Sequence, residues 1–144
     1  MSMGGEEAIG ATGANDVLRA IVAEGATARA ADDEGWLSDR YGVRGLLTEQ
    51  LEQAQDWVTD VLTSASVPAS MRDAVSASDA RYLLITGGNV DSERQAADYI
   101  ASAAPERVQV WTVPDADHTG GIETAPQEWA RRVVEFLDAT LGGG

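Results

Sequence analysis

A chain of 144 residues with 44% hydrophobic and 24% charged residues has the size and balance of one globular domain. Its ten basic residues are all arginine and face 24 acidic ones, so a net charge of −14 argues against nucleic acid and acidic membrane surfaces as partners. The absence of cysteine excludes disulfides, thiolate zinc sites and a cysteine nucleophile, and a lone histidine argues against a structural zinc centre.

The N-terminal segment lacks a basic stretch followed by an apolar one, and no apolar run approaches the length of a membrane span. We therefore expect a cytoplasmic protein that binds no membrane, and we expect neither a cofactor nor a metal. The acidic run of Asp32, Asp33 and Glu34 is interpreted as a solvated edge, with a Ca²⁺ site as the alternative.

The first third of the chain predicts a helix, a strand and then a long excursion. The pattern at residues 2–12 predicts a helix with Ser2 near its N-cap. The apolar run at 18–23 has the length of a strand. Residues 27–80 begin polar and acidic and continue into a helix at 46–63. Its apolar positions, with Trp57 beside them, lie on one side: Leu47, Leu51, Ala54, Val58 and Val61. This segment is typical of a cap or lid inserted between two strands.

The remaining residues predict a strand, a helix, a second strand and a final helix. The apolar runs at 82–86 and 108–113 flank a helical pattern at 92–104, which indicates a parallel, right-handed crossover. The last helix is predicted from Thr124 as its cap onwards, with an apolar stripe through residues 129–141. The fold class is therefore α/β, with three parallel strands flanked by helices in a single domain spanning residues 1–144.

Candidate chemistry rests on a serine, an acid and the histidine. Ser2 precedes a glycine pair at a helix start, and Met3 would supply an oxyanion N–H. Asp91 follows the strand at 82–86, and His118 follows the strand at 108–113, so both belong to the carboxyl edge of one sheet. Asp91 is the preferred acid and Glu93 is the alternative.

The order Ser, Asp, His on successive elements resembles the α/β-hydrolase fold superfamily. The stretch SMGG resembles the second half of the G-x-S-x-G nucleophile elbow, while LLITGGNVD and VWTVPDADHTGG resemble the segments that present the acid and the histidine. The resemblance implies a serine hydrolase acting on a small-molecule ester or amide, with Ser2 as nucleophile, His118 as base, and residues 27–80 as the lid.

The same resemblance implies that the chain is the C-terminal portion of such a fold, beginning at the elbow. We expect a truncated α/β-hydrolase domain that is inactive by itself. We also expect an exposed edge beside its first strand, where a second copy or an N-terminal-half partner could pair.

Each candidate residue also has an ordinary structural interpretation. Ser2 could be a helix N-cap, Asp91 could cap the helix that follows it, and His118 could be a solvated loop histidine. The alternative function is a non-catalytic interaction module, or half of a split enzyme, that docks through its open sheet edge.

Overall fold

The computed structural model describes residues 2–63 and 68–142, which form an α/β fold around one parallel sheet. Its strands are β1 (Ala20–Glu24), β2 (Arg81–Gly87) and β3 (Val108–Val113), arranged in that order. Ile21 aligns with Tyr82, and Tyr82 with Val108. The α-helices are α1 (Ser2–Thr12), α2 (Leu37–Tyr41), α3 (Val43–Thr63), α4 (Met71–Ala77), α5 (Asp91–Ala101), α6 (Gly121–Thr124) and α7 (Pro126–Leu141).

Helices cover both faces of the sheet, which explains why the central strand is apolar at consecutive positions from Tyr82 to Ile85. One face of β2 packs with α1, α4 and α5 through Tyr82 and Leu84. The other face packs with α7 through Leu83 and Ile85, which contact Phe136. Alternate residues of a strand point to opposite faces, so a strand between two helical layers needs apolar residues at consecutive positions.

The predicted fold class is confirmed: three parallel strands are flanked by helices, and a helical excursion follows the first strand. The third strand was predicted at its observed bounds, and the second extends one residue further at each end. The first strand begins at Ala20 rather than residue 18, and its residues alternate between half-buried and buried. The last helix begins at Pro126, because Thr124 belongs to the preceding short helix α6.

A buried aspartate connects two segments of the excursion between β1 and β2 by hydrogen bonds. Asp33 lies in a 3-10 helix, Ala31–Glu34, and its side chain is fully buried. Its carboxylate accepts backbone N–H bonds from Arg29, Ala30, Met71 and Arg72 at 3.0–3.2 Å. The interpretation of this acidic run as a solvated edge is thus wrong for Asp33, which joins the start of the excursion to α4.

Helix α3 packs against the earlier part of the excursion through acidic residues on one of its sides. Glu49 Oε1 accepts the N–H of Ser38 at 2.7 Å, and Glu52 hydrogen-bonds Glu34. Burial, and then the neighbouring carboxyl of Glu52, raise the pKa of Glu34 to about 7.

Among the helices within residues 2–63 and 68–142, none combines the length and apolar character needed to span a bilayer.

Candidate active site

The single histidine and a buried glutamate form a close pair at the carboxyl edge of the sheet. Nδ1 of His118 lies 2.5 Å from Oε1 of Glu93. The Glu93 side chain is fully buried, whereas the His118 side chain is half exposed. An ionised carboxylate can only accept hydrogen bonds. When Glu93 is ionised and the ring is neutral, this contact therefore requires the ring proton on Nδ1, and Nε2 then keeps its lone pair.

Helix α5 positions Glu93 by its phase. Glu93 lies three, four and seven residues before Ala96, Ala97 and Ile100, which are all buried, so it shares their inward-facing side. Its second oxygen, Oε2, accepts the backbone N–H of Gly87 at 2.8 Å, at the end of β2. Both carboxylate oxygens thus have partners, which fixes the orientation of the group that faces the imidazole.

The structure brings Glu93, and not Asp91, into contact with His118. Asp91 is the first residue of α5, its side chain is largely exposed, and its ion-pair partner is Arg94 at 3.5 Å. Two residues further along a helix is a rotation of about 200°. That rotation turns Glu93 inward, and its longer side chain reaches the ring of His118.

A bridge between two loops holds the segment that carries His118. Asn89 Nδ2 donates to the Asp115 carbonyl and to Oδ1 of Asp117, each at 3.1 Å, and the Asn89 N–H donates to the Ala116 carbonyl at 3.0 Å. Asn89 belongs to the turn that leads into α5. The acid and the histidine are therefore held in relation to each other by hydrogen bonds as well as by the sheet.

Gly25 supports the imidazole from the end of β1. A Cβ atom at this position would lie 3.0 Å from Cε1 and 3.1 Å from Nδ1 of His118. Gly25 has φ +71°, a conformation that disfavours side chains, and its N–H donates to the Ile85 carbonyl at 3.0 Å. A glycine here lets the ring lie directly against the backbone.

Glu24 fixes the far end of the histidine loop. Its Oε1 accepts the N–H of Gly121 at 2.6 Å, and its Oε2 accepts the indole N–H of Trp129 at 3.0 Å. These bonds link β1 to α6 and α7. The loop is consequently anchored by Asn89 on one side and by Glu24 on the other.

The N-terminal turn of α1 lies at the same edge of the sheet as the pair. A Cβ atom on Gly5 would lie 3.1 Å from that of Ala23, and Glu6 accepts the N–H of Thr27 at 3.0 Å. Ser2 begins this helix, but its side chain lies outside the described part of the structure. Met3 follows in the first turn with an exposed side chain, where backbone N–H groups have no partner within the helix.

The described residues thus bring His118 and Glu93 together, and the first turns of α1 pack beside the end of β1 at the same edge of the sheet. The half-exposed imidazole can accept a proton at Nε2, and the carboxylate stabilises the cation that results. Within residues 2–63 and 68–142, no group of three or more His, Asp or Glu side chains has a geometry that could hold a metal ion.

Sequence reasoning missed Glu24, Gly25 and Asn89. Glu24 is the last residue of β1 and Gly25 directly follows it, and a position at the end of a strand was a usable signal for site residues. Asn89 lies between Gly88 and Val90 in the acid loop and carried the same signal. Their partners, however, lie 26 to 105 residues away along the chain.

Comparison with known proteins gives a structural likeness without a family. No family model matches the chain, and no curated protein matches it. The chain is similar to the crystal structure of NosK from Streptomyces actuosus, with a TM-score of 0.60 and 22% sequence identity. The match covers 97% of this chain and 67% of NosK, and at this identity it concerns the fold alone.

Proposed function

We propose that this chain carries the general base and the orienting acid of a serine hydrolase that acts on an ester or amide. The observation that carries the proposal is the close contact between half-exposed His118 and fully buried Glu93 at the carboxyl edge of a parallel sheet. A general base needs this arrangement, because the carboxylate fixes the tautomer of the imidazole and leaves Nε2 free to take a proton from the nucleophile.

In the proposed reaction, Oγ of Ser2 attacks the acyl carbon and its proton passes to Nε2 of His118. The imidazolium then protonates the leaving alcohol or amine, which departs and leaves an acyl-serine. Water then attacks this ester, and the same imidazole takes its proton. The imidazolium returns a proton to the serine oxygen, the carboxylic acid is released and the free serine is regenerated. Glu93 stabilises the imidazolium in both halves, and the Met3 N–H contributes to binding the oxyanion.

Membership of the α/β-hydrolase superfamily is part of this proposal. It is supported by the chain order of serine, acid and histidine, and by the positions of Glu93 after β2 and His118 after β3 in a parallel sheet. The cytoplasmic location inferred from the sequence belongs to the proposal as well.

We propose that the 144 residues alone hydrolyse esters no faster than the uncatalysed background rate. A nucleophile elbow requires a strand before the serine to hold its strained turn, and β1, β2 and β3 all follow Ser2 in the described residues. The test is hydrolysis of p-nitrophenyl acetate by the 144-residue chain, compared with the chain extended by the in-frame codons upstream of Met1.

The extended chain should hydrolyse the ester, and Ser2→Ala, His118→Ala and Glu93→Gln should each lower kcat by about 10³-fold or more. Asp91→Asn is the matched control, because its carboxylate faces solvent, and it should stay within about twofold of the parent. An inactive extended chain would contradict the proposed function. Equal losses in the Asp91 and Glu93 variants would contradict the assignment of the acid, and Ser2-dependent turnover by the 144 residues would contradict their proposed inactivity.

The second candidate function is an interaction module or half of a split enzyme that docks through its open sheet edge. It is favoured by the position of β1 at the edge of the sheet, where β2 is its strand neighbour in the described residues. Adding a polypeptide with the front strands of such a fold should then raise the thermal midpoint of the chain. No change in that midpoint would count against a split enzyme.

A further inference from the structure

The apolar side of α3 faces solvent. Large apolar side chains along this helix are 45–75% exposed, including Leu47 at 58%, Leu51 at 65% and Trp57 at 66%. On the opposite side, Gly45 and Glu49 are buried against α2. The polarity of the helix is therefore inverted relative to that of a helix that packs its apolar side on its own domain.

The exposed positions follow the spacing of a two-helix seam. Leu47, Leu51, Ala54 and Val58 recur at intervals of four, three and four residues, and we name this set the α3 seam. All four are exposed, and they span about 16 Å of helix at 1.5 Å per residue. Apolar residues at this spacing form the contact line of paired helices.

The borders of the α3 seam carry no charge between its first and last residues. Thr48 and Gln55 lie along one border, and Gln50 and Trp57 along the other. This is unusual in a chain with 34 charged residues among 144 and a net charge of −14. Two copies of so acidic a chain repel each other, so a surface that meets itself must exclude carboxylates, as this one does.

The exposed area fits a dimer. The large apolar side chains along α3 are 45–75% exposed, and Tyr41 next to the start of the helix is exposed as well. Scaled from about 150–250 Å² for a buried aromatic residue, their combined exposed area is roughly 600–800 Å² per copy. Two copies would bury about 1,200–1,600 Å², which is the size of a specific interface. A patch of this size exceeds what monomers commonly leave exposed.

We propose that the α3 seam is a self-association surface through which two copies of this chain pair their α3 helices around a two-fold axis. The axis makes the helices antiparallel, so Leu47 of one copy lies near Val58 of the other, and Leu51 lies near Ala54. The α3 seam shares no residue with the His118–Glu93 pair, and the existence of the interface does not depend on the proposed hydrolase activity.

The test is the mass of the full chain by sedimentation equilibrium across a range of concentrations. The parent should be dimeric in the micromolar range. Leu51→Glu and the uncharged Leu51→Gln should each weaken the dimer by roughly 100-fold or more, because the two-fold axis counts each substitution twice. Val134→Glu is the matched control, since Val134 is an exposed apolar residue on α7, and it should leave the dimer unchanged within about threefold.

Salt separates self-pairing from a charged partner. Raising NaCl from 0.05 to 0.5 M should tighten the dimer about threefold or more, because it screens the repulsion between two acidic copies. A parent that stays monomeric at 100 µM would overturn the proposal, as would a dimer that survives both Leu51 substitutions. Weaker association at high salt would also overturn it, because it would indicate pairing through opposite charges.

Discussion

Gly25 offers a direct test of how the imidazole is supported. Gly25→Ala would place a Cβ atom 2.9 Å from Cγ2 of Thr119 and 3.0 Å from Cε1 of His118, at a residue with φ +71°. Real Cβ atoms almost never approach carbon this closely, so the ring or the backbone must move. Because the ring meets Glu93 through Nδ1, displacement of the imidazole weakens that contact.

The free energy of unfolding should fall through two effects. Alanine at positive φ costs about 1 kcal/mol, and forcing a methyl group into a filled site costs about 1–3 kcal/mol. Gly42→Ala separates them, because Gly42 has φ +57° and nothing lies within 4 Å of the position that a Cβ atom would occupy there. We expect a loss of about 2–4 kcal/mol for Gly25→Ala and about 1 kcal/mol for Gly42→Ala.

Urea unfolding measures both losses, and the imidazole NMR signals of the only histidine report the position of the ring. Gly25→Ala should shift those signals, whereas Gly42→Ala should leave them in place. Equal destabilisation by the two variants, with unchanged imidazole signals in both, would refute the packing of His118 against Gly25.

Three further predictions concern the groups around the site and the excursion. Because the pKa of Glu34 is raised to about 7 in the folded state, the folded protein holds this proton more tightly than the unfolded chain, and stability falls as pH rises from 4.5 through 7. After discounting for solvent, the unfolding free energy of the parent should drop by about 1 kcal/mol relative to Glu34→Gln over this interval in urea titrations, and a difference independent of pH would contradict the contact with Glu52. Asn89→Asp removes the side-chain N–H donors and sets a carboxylate against Asp117, so unfolding should become about 1–3 kcal/mol easier and faster amide hydrogen exchange should appear in the histidine loop; unchanged exchange there would argue against the bridge. Asp33→Asn replaces an oxygen that accepts a backbone N–H by an amide donor, which should cost about 2–4 kcal/mol in the same urea assay, and a loss below about 0.5 kcal/mol would contradict the buried role of this carboxylate.

The strands were predictable because burial on both faces leaves a strong mark on a sequence. The runs at 82–86 and 108–113 had no competing interpretation, and the structure places β2 and β3 there. The first strand was harder to delimit, because Leu18 extends the apolar run to the other side of Arg19, whereas Ala20 is the first residue aligned with β2.

The loops that carry the candidate residues were predictable, but the carboxylate that contacts His118 was not. Chain order alone placed the candidate carboxylates after β2 and the histidine after β3. The choice between Asp91 and Glu93 depended on helix phase, and the buried side of α5 through Ala96 and Ile100 already contained that information. Glu24 could not be recognised, because its partner Trp129 lies 105 residues away and only the fold brings them together.

Periodicity likewise predicted which residues form the apolar side of α3, but it did not predict whether that side packs on the domain or faces solvent. A stripe through Leu47, Leu51 and Val58 is compatible with packing inward or with facing solvent. The acidic residues that turn towards the protein, such as Glu49, decided the outcome through their hydrogen bonds. Such bonds depend on where α2 lies, which one helix cannot reveal.

The measurement that tests the central claim most directly is ¹⁵N NMR of the single imidazole, which distinguishes a proton on Nδ1 from one on Nε2. In the parent chain at a pH where the ring is neutral, the proton should lie on Nδ1, because Glu93 accepts it. Glu93→Gln should move the ring towards the other tautomer, while Asp91→Asn should leave it unchanged. A neutral ring protonated on Nε2 in the parent, or a tautomer that responds to Asp91 rather than to Glu93, would contradict the account.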